Sequence, residues 1–112
     1  MYFNHPMRHF NPKDLKGYLD GAETAPVLLD VREPWEFGIC RIEGAHLLPM
    51  RNIPASLDQL DPQSEIVVIC HHGIRSRQVA LYLEHQGFGN VVNLEGGMAA
   101  WARDVDPAMA TY

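Results

Sequence analysis

Two short runs constrain this chain more than any other feature. Val27-Leu28-Leu29-Asp30-Val31 and Ile66-Val67-Val68-Ile69-Cys70 are almost continuously apolar and rich in Val, Ile and Leu. A strand with one wet face alternates apolar and polar residues, whereas a strand covered on both faces does not. Both runs therefore predict strands that need a layer of helix above and below. Val91-Val92-Asn93-Leu94 reads as a third strand, Ala45 to Leu48, stopped by Pro49, as a fourth, and Arg8 to Phe10 as a weak edge strand. Helical signals fall between them. Asn11-Pro12 supplies a cap and a first-turn proline ahead of Leu15, Tyr18 and Leu19 on one face. Glu33 to Phe37 reads as a helix start and Ser56 to Leu60 as a short helix. Ser76 to Gln86 carries Val79, Ala80 and Leu83 on an apolar face and stops at Gly87; Gly97 to Arg103 is the last helix, with Trp101 covering the core. This alternation predicts an α/β fold of three layers, a central parallel β-sheet flanked by helices.

The 112 residues suffice for one domain, 1–112, with 1–7 and 108–112 expected to be loose ends. Nine Lys and Arg against 14 Asp and Glu give a net charge of −5, which disfavours nucleic acid as a partner. No apolar run approaches the ~18 residues of a membrane span. Met1 to Phe10 lacks the basic start and apolar stretch of a signal peptide. Two cysteines, Cys40 and Cys70, make no disulfide framework. The expectation is a cytoplasmic protein with reduced thiols.

The segment Cys70-His71-His72-Gly73-Ile74-Arg75-Ser76 follows the most hydrophobic strand and opens the best helix. In parallel sheets ligands bind beyond the carboxyl ends of strands, and Cys70 lies at such an end. A helix start offers unpaired N–H groups and a positive partial charge. A tight loop leading into it points more N–H groups at one spot, and Gly73 permits the backbone such a loop needs. Arg75 adds a permanent charge. An anion aimed into this cradle is stabilised, and for Cys70 that anion is the nucleophilic thiolate. The spacing alone leaves open a buried structural thiol beside two exposed histidines.

This segment resembles the Cys-x-x-Gly-x-Arg-Ser active-site pattern of the rhodanese (sulfurtransferase) family. Other blocks are similar to that family's in the same order: Asp30-Val31-Arg32-Glu33, Ile42-Glu43-Gly44-Ala45-His46-Leu47-Leu48-Pro49, and Leu94-Glu95-Gly96-Gly97-Met98-Ala99-Ala100-Trp101, followed by Pro107. The resemblance covers almost the whole chain. It implies a single rhodanese-like domain in which Cys70 takes a sulfane sulfur from thiosulfate or another donor, holds it as a persulfide, and passes it to cyanide or a thiol. No cofactor is implied beyond that covalent intermediate. The partners would be small sulfur donors and acceptors, or a thiol-carrying protein. The backbone donors of His71, His72, Gly73, Ile74, Arg75 and Ser76 would form the cradle, with Arg75 bracing the loop or touching the anion.

Three departures bear on this. Many thiosulfate-active members carry a basic residue where His71 and His72 stand, and histidine is largely neutral at pH 7, so thiosulfate is expected to bind better at lower pH. Cys40-Arg41 replaces the usual Gly-His, and Arg41 would restore positive charge near the site. Cys40 is not a family catalytic position; a structural thiol is the favoured reading over a resolving partner for Cys70. A cysteine phosphatase or arsenate reductase would need Cys-x5-Arg, whereas four residues separate Cys70 from Arg75. A non-catalytic binding module is the remaining alternative, and Cys70 weakens it. Cys40, His46, Cys70, His71, His72 and His85 are zinc-ligand types, but no Cys-x-x-Cys occurs and His71-His72 are adjacent, so a metal is not expected. His85 reads as a solvated residue suited to a helix end. Asp30 and Arg32 read as a structural ion pair, and Trp35 and Phe37 as packing residues or the lining of an entrance.

Overall fold

The computed structural model describes residues 7–112. Five strands, β1 (Arg8–Phe10), β2 (Val27–Asp30), β3 (His46–Leu47), β4 (Ile66–Ile69) and β5 (Val91–Leu94), form one sheet in the order β1-β5-β4-β2-β3. Every pairing is parallel. The two runs that predicted doubly covered strands, β2 and β4, lie side by side with β4 at the centre. All four residues of β4 are buried, and so are all four of β5.

Side-chain alternation divides the core into two apolar clusters. Leu29, Val31, Val68 and Val91 pack with Val79, Ala80 and Leu83 of α3 (Ile74–His85). Leu28, Val67, Ile69, Val92 and Leu94 pack with Leu15 of α1 (Pro12–Gly21) and with Met98 and Trp101 of α4 (Gly97–Asp104). Three layers follow, with β4 and β5 contributing to both clusters, the physical reason these strands do not alternate.

Asn11 caps α1 as the sequence reads, its side chain accepting from the Asp14 N–H at 2.8 Å. α2 (Pro34–Ile39) opens with a capping box, the Glu33 N–H donating to Glu36 Oε2 at 2.8 Å. The segment expected as a short helix near Ser56 is 3-10 over Pro54–Gln59, with i→i+3 bonds such as Leu60 N–H to Leu57 O at 3.1 Å. α3 begins two residues before the expected Ser76, because Gly73 turns left-handed (φ 93°) and its carbonyl accepts from the Arg77 N–H.

The expected loose ends need correction. Residues 1–6 lie outside the described residues, but Met7 packs against the α3-side core. At the other end Met109 packs against the α4-side core, and Tyr112 is tied in by hydrogen bonds to Arg32 and Glu36. An aromatic side chain with a polar tip anchors well where apolar contact and buried charge meet.

Candidate active site

The site is assembled where β4 ends. Cys70 is 1% exposed and follows Ile69 directly. Two amides reach its sulfur: the Gly73 N–H at 3.1 Å and the Ser76 N–H, on the first turn of α3, at 3.3 Å. The Cys70 thiol in turn donates to Ser76 Oγ at 3.3 Å. Of the six loop amides from His71 to Ser76, those of Gly73 and Ser76 are the ones bonded to sulfur. The site is thus a small cup around one atom.

The cup is held from behind by α4. Its first turn offers N–H groups to loop carbonyls: Met98 to Cys70 at 2.9 Å and Ala99 to His71 at 3.0 Å. Those carbonyls are thereby turned away from the sulfur. Gly97 makes this approach possible, since a Cβ there would run into the carbonyl oxygens of both Cys70 and His71. Gly73 is constrained as well; a Cβ on it would sit 3.0 Å from the Gly96 nitrogen and 3.2 Å from the Leu94 oxygen. The sequence reading of Gly96-Gly97 as a turn is right in shape but omitted that the turn holds the loop.

Arg75 makes no hydrogen bond to the Cys70 sulfur, though its charge and the sulfur's lie within reach of each other. Its guanidinium meets Glu36 in a two-pronged pair, 2.8 Å on each side, and Glu36 is only 4% exposed. The Arg75 hydrogen bonds, against the penalty of burial and with help from the Glu33 N–H and the Tyr112 hydroxyl, hold the Glu36 carboxyl down at about 2. The same pairing raises Arg75 further above neutrality. Of the two roles expected for Arg75, this geometry is that of a brace.

The brace continues inward. The Tyr112 hydroxyl donates to Glu36 Oε1 at 3.0 Å and accepts from Arg32 at 2.9 Å. Arg32 is fully buried; burial opposes its charge, but the Asp30 carboxylate at 2.7 Å and the Tyr112 oxygen keep it firmly protonated. Its remaining donors go to the Glu36 and Cys40 carbonyls. Asp30 and Arg32 are therefore the structural pair the sequence suggests, extended by two residues it did not link to them, Glu36 and Tyr112. Glu36 was signalled by its capping-box position; Tyr112 carried no signal.

The histidines differ. His71 is half-buried, stacked on the Tyr112 ring at 4.3 Å, and burial followed by the neighbouring His72 lowers its proton affinity. His72 is exposed. Ile74 is 68% exposed and Trp35 61%, with Trp35 set edge-on to Tyr112. Arg41 does not supply charge to the cup; it donates to the Phe37 carbonyl and lies over the Phe37 ring. Cys40 packs with Ile42, Met98 and Trp101 in the α4-side cluster, while Cys70 belongs to the α3-side cluster, and both thiols are free. Cys40 takes no part in the cup.

Comparison with known proteins agrees with this architecture. The family model for the Rhodanese-like domain matches residues 11–104. A sulfurtransferase of Allochromatium vinosum is 42% identical over 90 residues, covering 80% of this chain and 84% of that protein. The thiosulfate sulfurtransferase GlpE of Glaesserella parasuis is 36% identical, covering 77% and 80%. Other curated relatives are longer, and the chain spans 26% and 32% of two of them. Among solved structures, a rhodanese-like domain protein from Staphylococcus aureus superposes with a TM-score of 0.78 at 35% identity, covering 85% of this chain and 91% of that one.

Proposed function

The chain belongs to the rhodanese-like domain family, and from that premise we propose that it is a sulfurtransferase whose sulfur carrier is Cys70. The observation that carries this reading is the cup itself: a buried sulfur at a strand end that receives two backbone N–H bonds. The thiolate attacks the outer sulfur of thiosulfate or of a persulfide donor. The donor's S–S bond breaks, and sulfite (or the donor thiolate) leaves with the electron pair. The product is a Cys70 persulfide carrying one negative charge, which preorganised N–H groups stabilise. An acceptor, cyanide or a thiolate, then attacks the terminal sulfur, and the Cys70 thiolate is restored. No net oxidant or reductant is consumed.

The name of the Glaesserella parasuis relative supports thiosulfate as a donor. Loop length supports sulfur over phosphate. With four residues between Cys70 and Arg75, and with Arg75 committed to Glu36, no free guanidinium closes the ring that a tetrahedral oxyanion needs.

Intact-protein mass after incubation with thiosulfate tests the reading. One added sulfur atom, removable by cyanide with release of thiocyanate, is expected in the wild type and Cys40→Ser and is expected to be lost in Cys70→Ser. Absence of added sulfur in the wild type with thiosulfate and with persulfide donors would remove the proposal and favour a binding module.

A further inference from the structure

Asn93 is a lone amide inside an apolar strand, and sulfur transfer as described gives it no task. It is 3% exposed. Its Oδ1 accepts from the Ser76 hydroxyl at 2.6 Å, the shortest bond of the cup. Its Nδ2 lies 3.4 Å from His9 Nδ1, and His9 is its register partner across the β1–β5 pair. A continuous chain of polar atoms therefore runs from the Cys70 sulfur through Ser76 and Asn93 to His9 on the edge strand. His9 is partly exposed and faces Glu95 Oε1 at 3.6 Å; Arg77 of α3 and His72 of the loop line the same surface hollow.

Such a chain has two self-consistent directions. In the first, the Cys70 thiol donates to Ser76 Oγ, the Ser76 hydroxyl donates to Asn93 Oδ1, and Asn93 Nδ2–H donates to a His9 Nδ1 that carries no proton. In the second, every donor is reversed. The Ser76 hydroxyl donates to sulfur, a turned Asn93 amide donates to Ser76 Oγ, and Asn93 Oδ1 accepts from a protonated His9 Nδ1. The first direction suits a thiol, which has a proton to give. The second suits an anionic sulfur, which gains a third donor beside the Gly73 and Ser76 amides. Mixed arrangements set two donors or two acceptors against each other in a buried site and are costly.

We infer that His9 and Asn93 are positioning residues for the sulfur: their hydrogen-bond chain with Ser76 reverses when Cys70 ionises, turning the Ser76 hydroxyl toward the anionic sulfur. Cys70 gives its proton to solvent on ionising, and the reversal is balanced at His9. Its proton moves from Nε2 to Nδ1 by exchange with solvent, or a second proton is taken up beside the Glu95 carboxylate. No covalent bond between heavy atoms changes. Coupling of this kind is reciprocal, so the state of the sulfur is readable at His9. The inference rests on the proposed function for its role in turnover; the coupling itself is a property of the thiol.

Nitrogen NMR of the His9 ring tests it in the full chain carrying Cys40→Ser, with thiolate formation at Cys70 followed by ultraviolet absorbance. As Cys70 ionises, a proton is expected to arrive at His9 Nδ1, with Nε2 either giving up its own proton or keeping it. In Ser76→Ala, which cuts the chain and keeps the backbone amides, that response is expected to be lost. Asn93→Leu is expected to lose it too; should that variant fail to fold, Ser76→Ala decides alone. No His9 response on ionisation, or an equal response in Ser76→Ala, would overturn the inference, the latter showing action through space rather than through the chain. A protein that couples but takes up no sulfur would leave this inference standing and remove the proposed function. Sulfur uptake without coupling would do the reverse.

Discussion

Glu36 and Arg75 show how far one residue's burial decides its role. With 5% of its side chain exposed, Glu36 depends on partners for its charge, and Arg75 is the chief one. Removing one partner of a buried pair leaves an uncompensated ion, and the partial exposure of Arg75 (34%) moderates that cost. Arg75→Ala is expected to lower stability by about 2–3 kcal/mol, measured by urea unfolding. The pH dependence follows from the same pair. The Glu36 carboxyl titrates lower when folded, about 2, than when unfolded, 4.5. The folded state therefore binds fewer protons between these values. The stabilisation is complete above the unfolded value and is lost as pH falls through the folded one. Glu36→Gln is expected to flatten the unfolding free energy across that window; an acid limb as steep as the wild type would show that other carboxylates dominate it. The neighbouring histidines divide along similar lines. Burial, followed by the neighbouring His72, lowers the proton affinity of His71, so added charge is better placed at exposed His72. One positive charge some ~8 Å from a dianion contributes about 1 kcal/mol, or about fivefold in KM. His72→Lys is expected to lower KM for thiosulfate by that factor with kcat little changed, in a thiocyanate-release assay.

Elements act here through their ends. α4 matters to the site for its first turn, which holds the Cys70 and His71 carbonyls through Met98 and Ala99. Gly97→Ala puts a methyl group where those oxygens lie, so the helix must retreat and the cup must open. Overpacking of a fixed contact costs about 1–3 kcal/mol. Sulfur uptake is expected to fall at least about 100-fold, since small displacements are that costly for positioned groups. Retained circular dichroism with lost persulfide mass would separate this from unfolding; wild-type uptake would show that α4 does not set the cup. Much of this framework was legible in the sequence for a local reason. β2, β4 and β5 are apolar on both faces, and Asn11-Pro12 caps its own helix, so each signal sits within a few residues. The Cys70 loop was legible likewise, as strand end, glycine and helix start in one run. What was not legible depends on distant parts meeting. Tyr112 joins Arg32 and Glu36 from 80 and 76 residues away, and His9 meets Asn93 across 84. Nothing near those positions announces the partner. Arg41 failed as an expected site charge for a local reason: Phe37, four residues before it, claims the guanidinium.

Taken whole, the molecule sets a conflict between its field and its proposed substrate. The net charge is −5, and thiosulfate carries two negative charges. The local cup is favourable to anions because its N–H groups and the first turn of α3 point at one spot. The path to the cup crosses the field of 14 carboxylates set against nine Lys and Arg. Distance decides which prevails. The Cα radius of gyration is 13.3 Å. The screening length is about 30 Å at 0.01 M salt and about 10 Å at 0.1 M. At low salt the whole molecule therefore repels the incoming dianion. At 0.1 M most of that repulsion is screened, while the bonds within the buried cup are little affected. kcat/KM for thiosulfate is expected to rise severalfold between these two salt concentrations, in contrast to the fall seen when a basic face steers an anion. A persulfide donor with a single negative charge is the control and is expected to change less. The sign is diagnostic. Competition by the added anion for the cup would raise KM and lower kcat/KM, and a basic approach path would do the same. Initial rates of thiocyanate release across that salt range, with both donors, decide it. A falling kcat/KM for thiosulfate would mean that the net charge does not govern the approach, and that anion competition or local cations such as Arg77 do.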